Sequence, residues 1–191
     1  EVAQGYKDVK ETSVVARFKV KGRENTFILA WTTTPWTLPS NVALCMNPEE
    51  TYVEVEADGA NYILAEALAG KFFETYTVRE KRLGKEYEGT EYEPLFSWAQ
   101  GTFREKAYYV VCDGYVTLTD GTGVVHIAPA FGEDDYKVGR KYALPVVQLV
   151  NERGCFDARC PELEGLFAKK ADKRIMEMLE EKGLLFEKLP Y

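Results

Sequence analysis

The chain has 191 residues, of which 46% are hydrophobic and 29% are charged, as is usual for a globular protein of one domain. Its formal net charge of −7 argues against tight binding of nucleic acid by this chain alone, because such binding depends on neutralising phosphates. No window approaches the ~20 apolar residues needed to span a bilayer. We therefore expect no membrane association and a cytoplasmic location.

Strand patterns dominate the chain. We predict strands over 14–20, 27–32, 42–46, 53–57, 62–64, 76–83, 107–112, 115–119, 124–127 and 146–150. The pair Asp58-Gly59 predicts a hairpin turn between the fourth and fifth of these strands. Helices are predicted over 65–73, over 133–142, which opens with three acids, and over 170–182, which Gly183 ends. Many short strands without a βαβ alternation favour a mainly β fold with peripheral helices, in the form of a closed or partly closed β-barrel.

The limits of the chain indicate a fragment. It begins with Glu1 rather than Met, and residues 1–5 are polar or small and show no secretory signal. No repeat or low-complexity linker divides the sequence. We therefore interpret residues 1–191 as a single domain excised from a longer protein.

A structural metal is not expected. The four cysteines show no CxxC pair, and His126 is the only histidine. Without a secretory context, Cys45, Cys112, Cys155 and Cys160 are predicted to be reduced thiols.

Two polar segments stand out against this background. The first, WTTTPWTLPSN at 31–41, follows an apolar strand with a run of hydroxyls and two stiffening prolines. It suits recognition of a small polar ligand, but taken alone its composition favours a polar turn between strands. The second, GTGVVHIAPAFGEDDY at 121–136, carries His126 on a strand and then three acids at a helix start. Taken alone, such residues are more often a core histidine and ordinary first-turn charges.

Together, WTTTPWTLPSN and GTGVVHIAPAFGEDDY resemble the editing domain of isoleucyl-tRNA synthetase, the connective polypeptide 1 insertion of this class I aminoacyl-tRNA synthetase. The resemblance covers essentially the whole chain. In the related valyl and leucyl enzymes an Arg typically follows two threonines, whereas Thr34 stands here. Phe131 occupies a place where bacterial members often have His, so an archaeal or eukaryotic-like source is expected.

The resemblance implies a proofreading function in protein biosynthesis. The expected reaction is hydrolysis of valine from mischarged Val-tRNA(Ile) in a pocket that excludes isoleucine, and hydrolysis of valyl-adenylate in the same pocket is left open. The expected partners are the valine-bearing acceptor end of tRNA(Ile) and the remainder of the synthetase. No cofactor is expected in this domain, since ATP is used by the synthetic domain of the parent ligase.

The same resemblance assigns residue roles. Asp135 is expected to bind the α-ammonium of the substrate, and Thr33 and Thr34 to hold and orient the ester, so these three form the catalytic group. Thr32, Trp36, Asn41 and His126 are expected to bind the substrate, with His126 rejecting isoleucine mainly by its size.

Three alternatives stay open. A valyl-type editing domain would clear threonine instead, although the missing Arg argues against it. A binding module would hold the tRNA end or a partner protein without turnover. A free-standing hydrolase of small molecules has only the threonine-rich segment in its favour.

Overall fold

The computed structural model describes residues 12–190. The prediction that residues 1–5 carry no secretory signal concerns residues outside this range. Nine strands are found in the described range: β1 Thr12–Lys19, β2 Thr26–Thr32, β3 Ala43–Met46, β4 Thr51–Ala57, β5 Ala60–Ala65, β6 Thr77–Leu83, β7 Tyr109–Cys112, β8 Val124–Ile127 and β9 Leu185–Pro190. The α-helices are α1 Ala69–Phe72, α2 Glu133–Tyr142 and α3 Asp172–Glu181. Short 3-10 helices occupy Pro35–Ser40, Glu66–Leu68, Gly84–Tyr87, Pro129–Phe131 and Ala168–Ala171.

The strands form one sheet in the order β6-β4-β5-β2-β8-β3-β7, and β1 joins β2 and β9 beside this path. One edge of β2 pairs antiparallel with β1. Its other edge is shared, because residues 26–28 run parallel to β5 whereas Trp31 lies opposite Val125 of the parallel strand β8. The sheet therefore branches around β2, which is buried on both faces along most of its length.

The sheet is an open half-barrel. Within the described residues β6 and β7, at the two ends of the strand path, do not pair with each other. β6 is largely exposed and carries four consecutive charged residues over 79–82, as suits a strand left at an edge. The mainly β fold with few helices is as predicted, but the closed barrel is wrong. Strand patterns alone do not say which strands stay at the edges.

The core has two parts on opposite faces of the sheet. Alternate residues of β1 and β2 divide between them, with Phe18 and Ile28 in the larger cluster and Val15 and Leu29 in the smaller one. This division follows from the period of two along a strand. Burial on both faces fixes the register of β2, because a slip of one residue would exchange the two sets.

The predicted elements agree with the structure where local signals are strong. The hairpin between β4 and β5 is confirmed, with Asp58 and Gly59 at φ of 51° and 83°, as a two-residue turn of positive φ requires. Gly183, at φ of 73°, follows the end of α3.

Four predictions were wrong or incomplete. Residues 115–119 form no strand, because the Asp113 carboxylate accepts the Tyr115 N–H and turns the chain. Residues 146–150 make only one bridge, from Val150 to Phe156. The helix predicted over 65–73 is a 3-10 turn followed by the single turn of α1. Strand β9 was not predicted, since its mixed sequence becomes a strand only by pairing with β1. No helix of the described residues is long and apolar enough to cross a membrane.

Candidate active site

The two polar segments meet because β2 and β8 are parallel neighbours. Their carboxyl ends lie at the same place in the sheet, where Trp31 is opposite Val125. The chain leaves β2 through Thr33 and Thr34 into the 3-10 helix Pro35–Ser40, and it leaves β8 through a second 3-10 helix into α2. Residues about 95 positions apart in sequence are thereby brought to one site.

A cavity of about 300 Å³ lies at this meeting point. Hydroxyls, one carboxylate and several apolar side chains share its wall. The lining residues are Trp31, Thr32, Thr33, Thr34, Thr37, Val125, His126, Ala128, Phe131, Gly132 and Asp135. Five of the seven residues predicted from the sequence are in this set, namely Thr32, Thr33, Thr34, His126 and Asp135.

The threonines are held to different degrees. Thr32 is buried, and its hydroxyl accepts the N–H of Thr34 at 3.1 Å. The two hydroxyls of Thr32 and Thr34 lie 3.3 Å apart. Thr33 is half-buried, and its hydroxyl makes no hydrogen bond within residues 12–190. Thr33 therefore offers a free hydroxyl at the cavity wall, beside two that are already organised.

Asp135 is the acidic group of the cavity. One oxygen, Oδ2, accepts the N–H of Ala128 at 2.9 Å, which ties the first turn of α2 to the end of β8. No ion pair to Asp135 occurs in the described part of the chain. Burial raises the pKa of this carboxyl, and the charge of Asp134 adds to the effect, while the bond from Ala128 opposes it. The cavity thus contains a half-buried carboxylate that no cation from residues 12–190 pairs with.

His126 is buried in the cavity wall, and both of its ring nitrogens are engaged. Nε2 lies 2.7 Å from the hydroxyl of Thr37, and Nδ1 lies 3.0 Å from the side-chain nitrogen of Asn41. Burial lowers the pKa of His126 to about 4. The ring is therefore neutral near pH 7, with no nitrogen free to take a proton from a ligand.

Trp36 and Asn41 are placed beside the cavity and do not line it. The backbone N–H of Trp36 donates to Asp172 at the start of α3, at 2.9 Å, and its indole packs edge-on against Phe131 at 4.8 Å between ring centres. Asn41 is 5% exposed and lies behind His126. Both residues support the wall from outside.

Sequence reasoning missed Thr37 as a site residue. Its hydroxyl bridges His126 and the backbone oxygen of Thr34, the latter at 2.8 Å. It stands within the hydroxyl-rich segment, so the only signal was the segment's composition. Phe131 was noted as a departure from a family pattern, but its place in the cavity wall depends on the packing of Trp36.

The lining set contains no Ser, Cys or Lys. The buried thiol of Cys45 lies outside the cavity, and burial raises its pKa. Within residues 12–190 no three His, Cys, Asp or Glu side chains are grouped so as to hold a metal ion. The arrangement can bind a cation at Asp135 and hydrogen-bond a polar ligand at the threonines, but it holds no activated nucleophile.

Comparison with known proteins relates the chain to one enzyme family by sequence. No protein-family model matches it. It is 55% identical to isoleucine–tRNA ligase of Clostridium novyi over 98% of its length, and 43% identical to those of Picrophilus torridus over 98% and Bacillus thuringiensis over 100%. The chain spans 18% of the length of each of these relatives. Because Clostridium and Picrophilus ligases both match, the archaeal or eukaryotic-like source stays a prediction.

Solved structures share the fold. The chain is similar to the CP1 structure GlLeuRS-CP1, with a TM-score of 0.69 and 11% identity over 92% of this chain and 97% of that one. It is also similar to the editing domain of the cytosolic leucyl-tRNA synthetase of P. falciparum, with a TM-score of 0.57 and 13% identity over 90% of this chain and 86% of that one.

Proposed function

We infer from the sequence match to isoleucine–tRNA ligases, which covers almost the whole chain, that the chain is the editing domain of such a ligase, a class I aminoacyl-tRNA synthetase. We propose that it hydrolyses valine from mischarged Val-tRNA(Ile). The single observation that carries the proposal is Asp135, a half-buried carboxylate that no cation of the described residues pairs with, in a cavity lined by three consecutive threonines.

The carboxylate suits the free α-ammonium of an aminoacyl ester. A desolvated charge is costly unless it is paired, and within the described chain Asp135 has a backbone hydrogen bond but no cationic partner. An ammonium ligand would supply that partner through a charge-assisted hydrogen bond, which is stronger than a neutral one. The ester would then lie within reach of the threonine hydroxyls.

Hydrolysis proceeds by direct attack of water on the ester carbonyl. Both nitrogens of the neutral His126 ring are occupied. The Thr37 hydroxyl lies beside Nε2 but donates its proton to the backbone oxygen of Thr34, so no lining hydroxyl gives its proton to a side-chain base. The protein therefore contributes by positioning and by hydrogen-bond donors, with Thr33 and Thr34 orienting the ester. A neighbouring ribose hydroxyl orients the water, so a tRNA lacking that hydroxyl should be cleared more slowly.

Selection against isoleucine is a matter of size. One methylene is worth only about 1–3 kcal/mol in a hydrophobic pocket, and the discrimination of isoleucine from valine by this synthetase is a standard example of that limit. A second cavity that admits valine and excludes the larger side chain supplies the missing discrimination. Val125, Ala128 and Phe131 provide apolar wall for an aliphatic side chain, and His126 limits the space.

The partners follow from the substrate. The domain would receive the valine-bearing acceptor end of tRNA(Ile) and act together with the remainder of the ligase, in the cytoplasm. Its charge of −7 predicts weak tRNA affinity by itself. No cofactor is needed for ester hydrolysis. We also propose valyl-adenylate, in which the same valyl group is joined to a phosphate, as a candidate second substrate.

The test is to incubate the 191-residue chain with Val-tRNA(Ile), with Ile-tRNA(Ile) and with a threonyl-tRNA, and to measure the rate of deacylation of each against the rate in buffer alone. We expect the valyl ester to be hydrolysed and the isoleucyl ester to survive. Preferential loss of threonine would favour a valyl-type domain. Retention of tRNA on a filter without hydrolysis of any ester would favour a binding module and refute the proposal.

A further inference from the structure

A second cavity lies beside the candidate active site. It has a volume of about 220 Å³, and α2 forms one of its walls. The two cavities share no lining residue, but Ala128 and Asp135 line the first, while their neighbours Pro129 and Tyr136 line the second. The walls of the two cavities are therefore one residue apart along the chain at two separate places.

Helical spacing builds the wall that α2 gives to this second cavity. Tyr136, Gly139 and Arg140 stand at positions i, i+3 and i+4, so they share one face of the helix. Gly139 lets this face lie close to the preceding loop, since a Cβ there would be 3.0 Å from Pro129. Asp135 is one position from Tyr136, or about 100° around the helix. The face that carries Asp135 therefore adjoins the face that lines the second cavity.

Two side chains of this face are available to a ligand. Tyr136 is 48% exposed, and within residues 12–190 its ring has no aromatic neighbour and its hydroxyl makes no hydrogen bond. The guanidinium of Arg140 is exposed and forms no ion pair or hydrogen bond in the described part of the chain, whereas the other two cations of α2 each form an ion pair. An open aromatic ring and an unpaired guanidinium thus stand one helical turn apart.

The chemistry of this cavity suits a nucleobase better than a phosphate. Bases of single-stranded RNA stack on aromatic rings and on guanidinium planes, and they hydrogen-bond through their edges. Arg140 offers donors, and Glu105, which also lines the cavity, offers an acceptor for an amino group. These two charges balance, whereas binding of a phosphate depends on an excess of positive charge. Leu144 and Val146 add apolar surface for a flat ring.

We propose that Tyr136 and Arg140 bind the base of the nucleotide that precedes the aminoacylated adenosine of the tRNA, with the ring of Tyr136 as its stacking platform. This inference rests on the proposed function, in which Asp135 holds the aminoacylated end. Because Asp135 and Tyr136 are consecutive, the next nucleotide of the strand lies within reach of the second cavity. Contact with the remainder of the ligase is the alternative use of this exposed face.

The experiment compares three valyl esters as substrates of the 191-residue chain. They are valyl-adenosine, the valyl ester of the dinucleotide cytidylyl-adenosine, and the same dinucleotide ester without its cytosine base. For the parent chain, kcat/KM for the intact dinucleotide should exceed kcat/KM for the other two esters by about 5- to 150-fold, the range for one base stacked on an aromatic ring. The abasic ester keeps the phosphate, so it separates the effect of the base from that of the backbone.

Substitutions then assign this advantage to the proposed platform. Tyr136→Ala should bring the three esters to the same kcat/KM, whereas Tyr136→Phe should keep the advantage, because a phenyl ring still stacks. Arg140→Gln should lower the advantage in part. The readout is a ratio between substrates, so a general loss of folding or of the Asp135 geometry does not change it.

Two variants serve as matched controls. Tyr76 is another exposed tyrosine, Lys137 is another exposed cation of α2, and neither residue lines either cavity. Tyr76→Ala and Lys137→Gln should therefore leave the advantage of the intact dinucleotide unchanged.

Binding of the base is also measured without hydrolysis. Uncharged cytidylyl-adenosine is added to the 191-residue chain with 13C-labelled tyrosine rings, and the ring resonances of Tyr136 should shift. The abasic dinucleotide should leave them in place. Tyr136→Phe identifies these resonances among those of the 12 tyrosines.

Several results would overturn the inference. They are an unchanged advantage in Tyr136→Ala, an equal advantage for the abasic dinucleotide, or the loss of the advantage in either control. If this face only contacts the remainder of the ligase, the parent chain will show neither the advantage nor the shift, and the inference fails although valyl esters are hydrolysed. If the base-dependent shift of Tyr136 appears while the parent chain hydrolyses no ester, the base site stands and the proposed function fails.

Discussion

Replacing Asp135 by Asn removes the charge that is proposed to bind the substrate ammonium and leaves the size of the side chain unchanged. The amide oxygen can still accept the N–H of Ala128, so the link between β8 and α2 is retained. A hydrogen bond to a charged group contributes about 1.5–3 kcal/mol. Since 1.36 kcal/mol corresponds to a factor of ten in rate, kcat/KM for Val-tRNA(Ile) should fall by roughly 10- to 150-fold.

Stability should not fall with activity. Burial raises the pKa of Asp135, so the folded chain holds the proton more tightly than the unfolded chain does. Ionisation of this carboxyl therefore costs stability, and the cost is present at neutral pH and is relieved as the pH falls through the raised pKa. The Asp135→Asn variant has no such ionisation cost at any pH, although the substitution also removes a favourable negative charge from the first turn of α2. We expect a urea midpoint close to that of the parent chain or higher.

The assay is single-turnover deacylation of Val-tRNA(Ile) by the parent chain and the variant, corrected for spontaneous hydrolysis and repeated as a pH series. Activity of the parent should fall on the acid side, at a pH above the ordinary range for Asp, because only the carboxylate binds ammonium. Asp134→Asn is the matched control, since this neighbouring carboxylate is exposed and lies outside the cavity. The reasoning is refuted if Asp135→Asn stays within twofold of the parent, or if Asp134→Asn loses as much activity.

Three other predictions concern the cavity and its surroundings. His126→Ala should enlarge the cavity and allow hydrolysis of Ile-tRNA(Ile), and continued rejection of isoleucine would indicate another size-limiting residue. Gly121→Ala should lower the urea midpoint more than Gly22→Ala. Both glycines have positive φ, but a Cβ on Gly121 would lie 2.7 Å from the ring of Trp31, whereas a Cβ on Gly22 would have no atom within 4 Å. Equal effects would contradict this close packing. In the folded chain a thiol reagent should modify Cys155 alone, since the other three cysteines are buried, and rapid reaction of a second thiol would count against the fold.

Local structure was largely determined by the sequence. Alternating apolar residues predicted most strands, and Asp58-Gly59 and Gly183 marked a hairpin and a helix end, because these signals depend only on neighbouring residues. The sequence also identified five of the eleven cavity-lining residues, since hydroxyls and carboxylates outside a regular apolar pattern are conspicuous. By contrast, the alternating pattern from Tyr115 onward predicted a strand that does not form, because the Asp113 carboxylate accepts the Tyr115 N–H and turns the chain there.

Only the tertiary structure decided how these pieces meet. The parallel pairing of β2 with β8 joins the two polar segments, and it depends on contacts between residues far apart in the chain, which no local pattern encodes. The same is true of the open edges of the sheet and of strand β9, which exists by pairing with β1. It is true above all of the contacts that His126 makes with Thr37 and Asn41, which join side chains 89 and 85 positions apart in the sequence.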